Sequence, residues 1–328
     1  MCRFEGVWIN KPPSNLLIKI DSSSIMKGFF FSLFFLFSTQ IIAQSAYDQW
    51  EKVQYDKELH LSTDYKEKRI YSSKGAKENL LLRQWRIAKK GRLLRDMVYK
   101  ANSTIVVYDL SMDYQTSNEV IGTNALDSSK VTYSLTKEGK IRYYVNNRKS
   151  TMHIIYTYND DGQLIRCKDC LNAPRGDEWC LYYTYAYNKA KQLVGTRTYN
   201  LKKNQAVEDK VLYAKDSLVY NNGQLSERWA LMPTGEPVRK MVYHYDKKGR
   251  LEQVAGQLIP PYQVFRNYTV LYDYHCNGKI KKERESYYLE GAIEYRRIIN
   301  YDKKGRKKQQ EGFNAQGERT SLYVIKYK

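Results

Sequence analysis

Met241 to Val254 reads MVYHYDKKGRLEQV, and its Tyr-Asp-Lys-Lys-Gly-Arg core returns unchanged at Tyr301 to Arg306. Before the turn, Met241, Tyr243 and Tyr245 alternate with Val242 and His244, the period of a strand with one face richer in large side chains. Tyrosine is a strong strand former. Asp246 is placed to accept from a backbone N–H two residues on, Lys247 and Lys248 suit the centre of a type I turn, and Gly249 supplies the positive φ that closes a hairpin through a bulge. Leu251 then starts the returning strand.

Reduced to types, the unit is an aromatic or apolar residue, any residue, a second such residue (usually Tyr), three turn residues, Gly, a polar or basic residue, and Leu or Ile. It recurs at Trp85, Ile87, Gly91 and Leu93; at Tyr133, Leu135, Gly139 and Ile141; at Tyr156, Tyr158, Gly162 and Leu164; and at Tyr272, Tyr274, Gly278 and Ile280. Degenerate copies show what the unit can lose. Beyond Tyr185 and Tyr187 the glycine position is Lys191, and after Tyr220 a shorter Asn221-Asn222-Gly223 fits a type I′ loop. From Gly139 to Gly305 the spacings run 23, 29 (to Lys191), 32, 26, 29 and 27 residues. Such a period is one hairpin plus a connection back. The pattern predicts an all-β antiparallel meander of repeated hairpins, an open curved sheet or elongated shell, with marked turns along one edge and variable loops along the other. The step from Gly305 to Gly317 predicts one closing strand ending in Leu322 to Tyr327.

The N-terminal part reads differently. Met26-Lys27, the apolar run from Gly28 and the small residue Ala43 have the layout of a secretory signal, cut after Ala43. The run is too short, and too polar near its end, for a span needing ~20 apolar residues, so no integral membrane segment is expected after processing. Residues 1–25 read as an upstream extension, 26–43 as the signal, 44–84 as a capping region that shields the first sheet edge, and 85–328 as the repeat domain. The expected setting is the periplasm, the cell surface or the extracellular space.

The Tyr-Asp-Lys-Lys-Gly-Arg-Leu unit and its variants, over roughly Trp85 to Lys328, resemble the YD repeats of RHS-like bacterial secreted and surface proteins. That resemblance implies hairpins strung into a curved sheet or shell, a surface setting, and roles in carbohydrate binding or toxin encapsulation. The spacing here is longer and less regular than in that family. MORN repeats, also hairpin arrays with a denser glycine pattern, are a second resemblance.

Reaction chemistry is not written in the repeat. The four histidines, His60, His153, His244 and His275, lack zinc-protease spacing, and no Gly-x-Ser-x-Gly, P-loop or dinucleotide fingerprint occurs, so no cofactor is implied. Acid pairs such as Asp160-Asp161 and Glu283 with Glu285 read as solvated turns and salt-bridged strands. Four cysteines follow the signal: Cys167, Cys170, Cys180 and Cys276. A four-ligand metal site would have to join the variable edge to Cys276 in a marked turn, across a strand of ~26 Å. One disulfide closing the Lys168 to Trp179 loop is expected instead, most simply Cys167 to Cys180.

Two features point to binding. The tyrosines, 31 in all, fill a core face or stack on sugars. The charge is strongly positive: removing residues 1–43 takes away four Lys/Arg and two Asp/Glu, leaving 51 basic and 33 acidic residues and a net charge of +18. Lys89, Lys90 and Arg92, Lys247, Lys248 and Arg250, and Lys303, Lys304 and Arg306 occupy the same turn positions in three units. A row of cations along one edge attracts acidic glycans or lipopolysaccharide, a surface protein is a further expected partner, and nucleic acid is disfavoured by export. The leading expectation is an exported, non-enzymatic interaction module of the cell envelope or surface. A polysaccharide-active enzyme and a purely structural envelope protein are the alternatives.

Overall fold

A computed structural model describes residues 66–328, apart from 74–78, 88–91, 101–102, 117, 148–150, 173–177, 203–209 and 261–266. The expected extension, signal and first part of the cap lie outside the described residues. Twenty strands form one antiparallel sheet. In chain order they are β1 (Glu67–Ser73), β2 (Asn79–Ile87), β3 (Leu93–Tyr99), β4 (Val106–Asp113), β5 (Glu119–Asn124), β6 (Lys130–Leu135), β7 (Ile141–Asn147), β8 (Thr151–Tyr158), β9 (Leu164–Asn172) and β10 (Glu178–Tyr187). The second ten are β11 (Leu193–Lys202), β12 (Val211–Asn221), β13 (Gln224–Leu231), β14 (Pro237–Tyr245), β15 (Leu251–Leu258), β16 (Asn267–Tyr274), β17 (Ile280–Leu289), β18 (Ala292–Tyr301), β19 (Lys307–Phe313) and β20 (Arg319–Tyr327).

Each strand pairs with the next, and β1 pairs with β20 in the register Lys68↔Tyr327 to Ser72↔Tyr323. The sheet is therefore a closed 20-stranded barrel, and the expected open curved sheet is corrected. Sheet twist brings the first and last strands together, and closure removes both unpaired edges. The cap expectation changes for the same reason. Its described residues Glu67–Ser73 and those from Asn79 on are wall strands, and β1 bonds to β20, which leaves no first edge to shield.

The hairpin chemistry follows the repeat. The Gly249 amide donates to the Asp246 carbonyl at 2.9 Å and the Asp246 amide to the Arg250 carbonyl at 2.8 Å; the pair returns at Asp302 and Gly305 and, with other side chains, at Asn159 and Gly162. Each of these turns carries a register shift beside it. Lys191, in the glycine slot, has φ 61°, and Asn222-Gly223 has φ 49° and 80°, as a type I′ turn requires. All these turns lie on one rim of the barrel.

Successive side chains point to opposite faces, so every strand serves both the enclosed face and the outer wall. From β3 to β12 the enclosed face is packed with apolar and tyrosine side chains, among them Val120, Leu164, Tyr183 and Leu193 at 0–1% exposure. From β13 round to β2 it carries paired charges.

Candidate functional site

The second aromatic of the unit has a bonding role that repeats around the barrel. Tyr114, Tyr158, Tyr187, Tyr220, Tyr245, Tyr274 and Tyr327 each donate their hydroxyl to a backbone carbonyl on the neighbouring hairpin: Leu93, Ile141, Leu164, Leu193, Leu225, Leu251 and Lys307 in turn, at 2.6–2.9 Å. Every acceptor lies at the start of a return strand, beside a bulge: six are its first residue, and Leu225 is the second residue of β13. A bulge disrupts the ladder locally, and the tyrosine places a donor there. Tyr301 is the exception: its hydroxyl goes to Glu283 at 2.7 Å.

The polar slot after the glycine ties each turn to the next. Gln163 donates to the Lys191 carbonyl at 3.0 Å, Gln192 to Gly223 and Gln224 to Gly249, both at 2.9 Å. Where the slot is arginine, the guanidinium serves its own turn and the neighbouring ring. Arg250 binds Asp246 and lies 4.4 Å from the centre of Tyr274; Arg306 binds Asp302 and lies 4.5 Å from the centre of Tyr327. Arg92 sits over Tyr114 at 5.1 Å. These three arginines, expected as members of the cation row, also act as bracing groups. The amide and guanidinium of Arg250 hold the Asp246 carboxyl below its ordinary range. At Asp302 burial acts the other way, and the Arg306 amide and guanidinium outweigh it.

Lys247, Lys248, Lys303 and Lys304 are exposed, and Lys279, in the intervening turn, is exposed beside Gly305. Lys89 and Lys90 lie outside the described residues. The rim from β6 to β11 is mixed in sign, with Asp160, Asp161 and Glu138 among its lysines and Lys191 bound to Asp161 at 2.7 Å.

Where the two stretches of the enclosed face meet, Arg228 of β13 donates to Asp216 of β12 at 3.0 Å and Thr196 of β11 donates to the same carboxylate at 2.8 Å, all three buried. Burial pushes the Asp216 carboxyl up while Arg228 and Thr196 pull it back. Arg297 and Tyr287 donate to Glu285 at 2.7 and 2.8 Å. Burial alone would raise Glu285, and the Arg297 contact brings it below its ordinary range, while burial holds Glu283 above its own. Glu283 and Glu285 stand two residues apart on one face of β17 and are occupied by partners. A glycosidase needs two carboxyls flanking a bond across a cleft, and this pair has the geometry of wall ion pairs. Among the described residues no group of three or more His, Cys, Asp or Glu could hold a metal.

The disulfide also differs from expectation. Cys180 is bonded to Cys170, with Cα atoms 4.1 Å apart, because the two face each other in the β9–β10 register. Cys167 faces Tyr183 instead, is buried in the main core on the opposite face, and is not part of the disulfide. A spacing of three residues in a strand puts two side chains on opposite faces. Cys276 is free and exposed in a marked turn.

The outer wall carries a feature that sequence reading missed. Cross-strand register aligns Arg166, Thr184, Arg197 and Lys215 in one row over β9 to β12. Beside that row Ala186, Gly195 and Ser217 form a second, small-residue row. Thr184, Arg197 and Lys215 of the first row and the three residues of the second line a hollow of about 380 Å³. The signal lay in which residues become neighbours through pairing, not in any local run.

No known family matches the sequence, and no curated protein matches it. In fold the chain is similar to a porin-like protein from Bacteroides uniformis, with a TM-score of 0.37 and 8% identity over 82% of this chain and 99% of that one. It is also similar to a porin-like protein from Bacteroides vulgatus, with a TM-score of 0.28 and 10% identity over 79% and 97% of the two chains. The role of this chain has to be argued from its own residues.

Proposed function

We propose that this is an exported, non-enzymatic barrel module of the cell envelope or surface that holds polyanionic glycans on its basic rim. The observation that carries the reading is the rim sector from β14 to β19. There the two turn aspartates are consumed by Arg250 and Arg306, while Lys247, Lys248, Lys303 and Lys304 face solvent. A cluster of one sign attracts a polyanion and releases its counterions. The signal-like Met26 to Ala43 stretch, the Cys170–Cys180 disulfide and the resemblance to YD repeats support export.

The outer wall supports contact with water. Mid-strand outward positions include Lys168, Arg197, Lys215 and Arg296. A lysine or arginine facing lipid at the bilayer centre costs about 2–4 kcal/mol. Lipopolysaccharide headgroups and acidic surface proteins share the chemistry of the proposed partner.

The test is elution from a heparin or acidic-polysaccharide column over a salt gradient. A folded variant with Lys247, Lys248, Lys303 and Lys304 all changed to Gln should elute at lower salt than the natural chain. Equal elution removes the rim as the binding surface.

A further inference from the structure

We infer that the outer wall over β9 to β12 holds a second, separate site, a hollow that takes one acidic sugar unit through Arg197 and Lys215. The inference rests on the glycan-binding reading for the class of ligand and not on the rim for its place.

Arg197 and Lys215 stand directly opposite each other on β11 and β12. Side chains so placed are about 5 Å apart at Cβ, and like charges there are destabilising. Among the described residues neither has an ion-pair partner, and neither do Arg166 or Lys168 on β9. Asp216, which follows Lys215 and is also among the residues lining the hollow, turns its carboxylate to the enclosed face, where Arg228 and Thr196 hold it. A barrel wall that needed only solubility would interleave the two signs. This wall concentrates one sign at a concavity.

The concavity is built by residue size. Ala186, Gly195 and Ser217 are neighbours across three strands and floor the hollow, with Thr184 beside Arg197. A Cβ on Gly195 would come within 3.2 Å of the Asp216 carbonyl oxygen, so the floor is held low. The volume of about 380 Å³ falls within the ~300–1,000 Å³ of small-molecule sites. A guanidinium grips a carboxylate or sulfate through two parallel hydrogen bonds, and the ammonium opposite adds a second charge. The hydroxyls of Thr184 and Ser217 suit the hydroxyls of a sugar ring.

The test uses short probes on the full chain, so that the rim and the wall report separately. A heparin-derived hexasaccharide and an oligogalacturonate of equal length are titrated calorimetrically at low salt, which distinguishes sulfate from carboxylate as the recognised group. Changing Arg197 and Lys215 together to Gln should weaken the better probe by about tenfold or more, with an unchanged or higher Tm because the like-charge pair is gone. Ser217→Leu, which fills the hollow with both charges intact, should weaken it as well. The rim variant should leave the affinity for the short probe within about twofold, since it removes charges on the β14–β15 and β18–β19 turns, none of which lines the hollow. Equal affinity of the Arg197/Lys215 variant and the natural chain overturns the wall site. So does a natural chain that binds neither probe. If the long polymer is also ignored by the natural chain, the glycan reading itself has failed.

Discussion

β3 to β12 and β13 to β20 are built from one repeat and enclose different chemistry. In the first stretch the enclosed positions are filled by side chains such as Leu110, Val131, Ile154 and Leu164, all buried. In the second they include Arg228, Arg239, Glu283, Glu285 and Arg297, of which Arg228 and Glu285 are fully buried. The rim tyrosines and turn glycines are common to both. The difference teaches that the repeat constrains the ends of its strands, where turns, bulges and tyrosine braces must recur, and leaves the mid-strand enclosed positions free to vary. Charge enters there with a partner: Asp216 with Arg228, Glu285 with Arg297, and Arg239 over the Tyr268 ring at 5.9 Å.

The sharpest way to break the contrast is to remove one partner on each side. Arg228→Ala leaves the Asp216 carboxylate buried and uncompensated, and urea unfolding should show a loss of about 3–5 kcal/mol. Leu164→Ala should cost about 2–5 kcal/mol through lost burial and the cavity left behind. Changing Asp216 to Leu and Arg228 to Met together should recover most of the first loss, because an apolar pair needs no compensation. If Arg228→Ala behaves like a surface substitution, the second half is not held by its ion pairs.

Lys68, on the enclosed face of β1, sharpens the contrast through pH. Burial, and then repulsion from Lys307 and Arg83, push its ammonium down to about 8. The unfolded chain holds that proton up to about pH 10.4. Between the two values the unfolded state binds more protons, so the Lys68 contribution to stability rises as pH climbs through the window. The natural chain should gain roughly 2 kcal/mol relative to Lys68→Met between pH 7 and pH 10. Parallel stability curves would show that Lys68 is not strained by its surroundings.

The smallest effect tests what the two halves share. Tyr187→Phe removes one brace, the hydroxyl bond to the Leu164 carbonyl, and should cost about 1 kcal/mol. Tyr245→Phe, at the equivalent place in the other half, should cost about the same. A large difference between them, measured by thermal unfolding, would mean that the brace depends on the core beneath it.

Much of the local structure was legible in residues. Tyr, Asp and Gly at fixed offsets predict strand, turn and bulge, because those preferences act within a few residues; Lys191 shows that even the glycine slot can be read when glycine is absent. Closure was not legible. Each hairpin encodes its own twist, and whether twenty of them bring β1 to β20 depends on the sum over the sheet, which no single unit carries. The Cys170–Cys180 bond was missed because spacing alone does not say which of two cysteines faces a third. Register says it, and register is set by bulges and pairing. The stacking of Arg250 and Arg306 was not legible because the rings concerned, Tyr274 and Tyr327, belong to the next hairpin. The wall hollow belongs to the same class. Arg197 and Lys215 are 18 positions apart in the chain, and only pairing makes them neighbours. The amino-acid sequence by itself determined the strands, the turns and the excess of positive charge, all of which follow from short-range preferences and composition. The tertiary structure alone decided which charges meet, which are consumed by aspartate or tyrosine, and which stand together without an acid, since a charge acts over a few ångströms of space and not of chain.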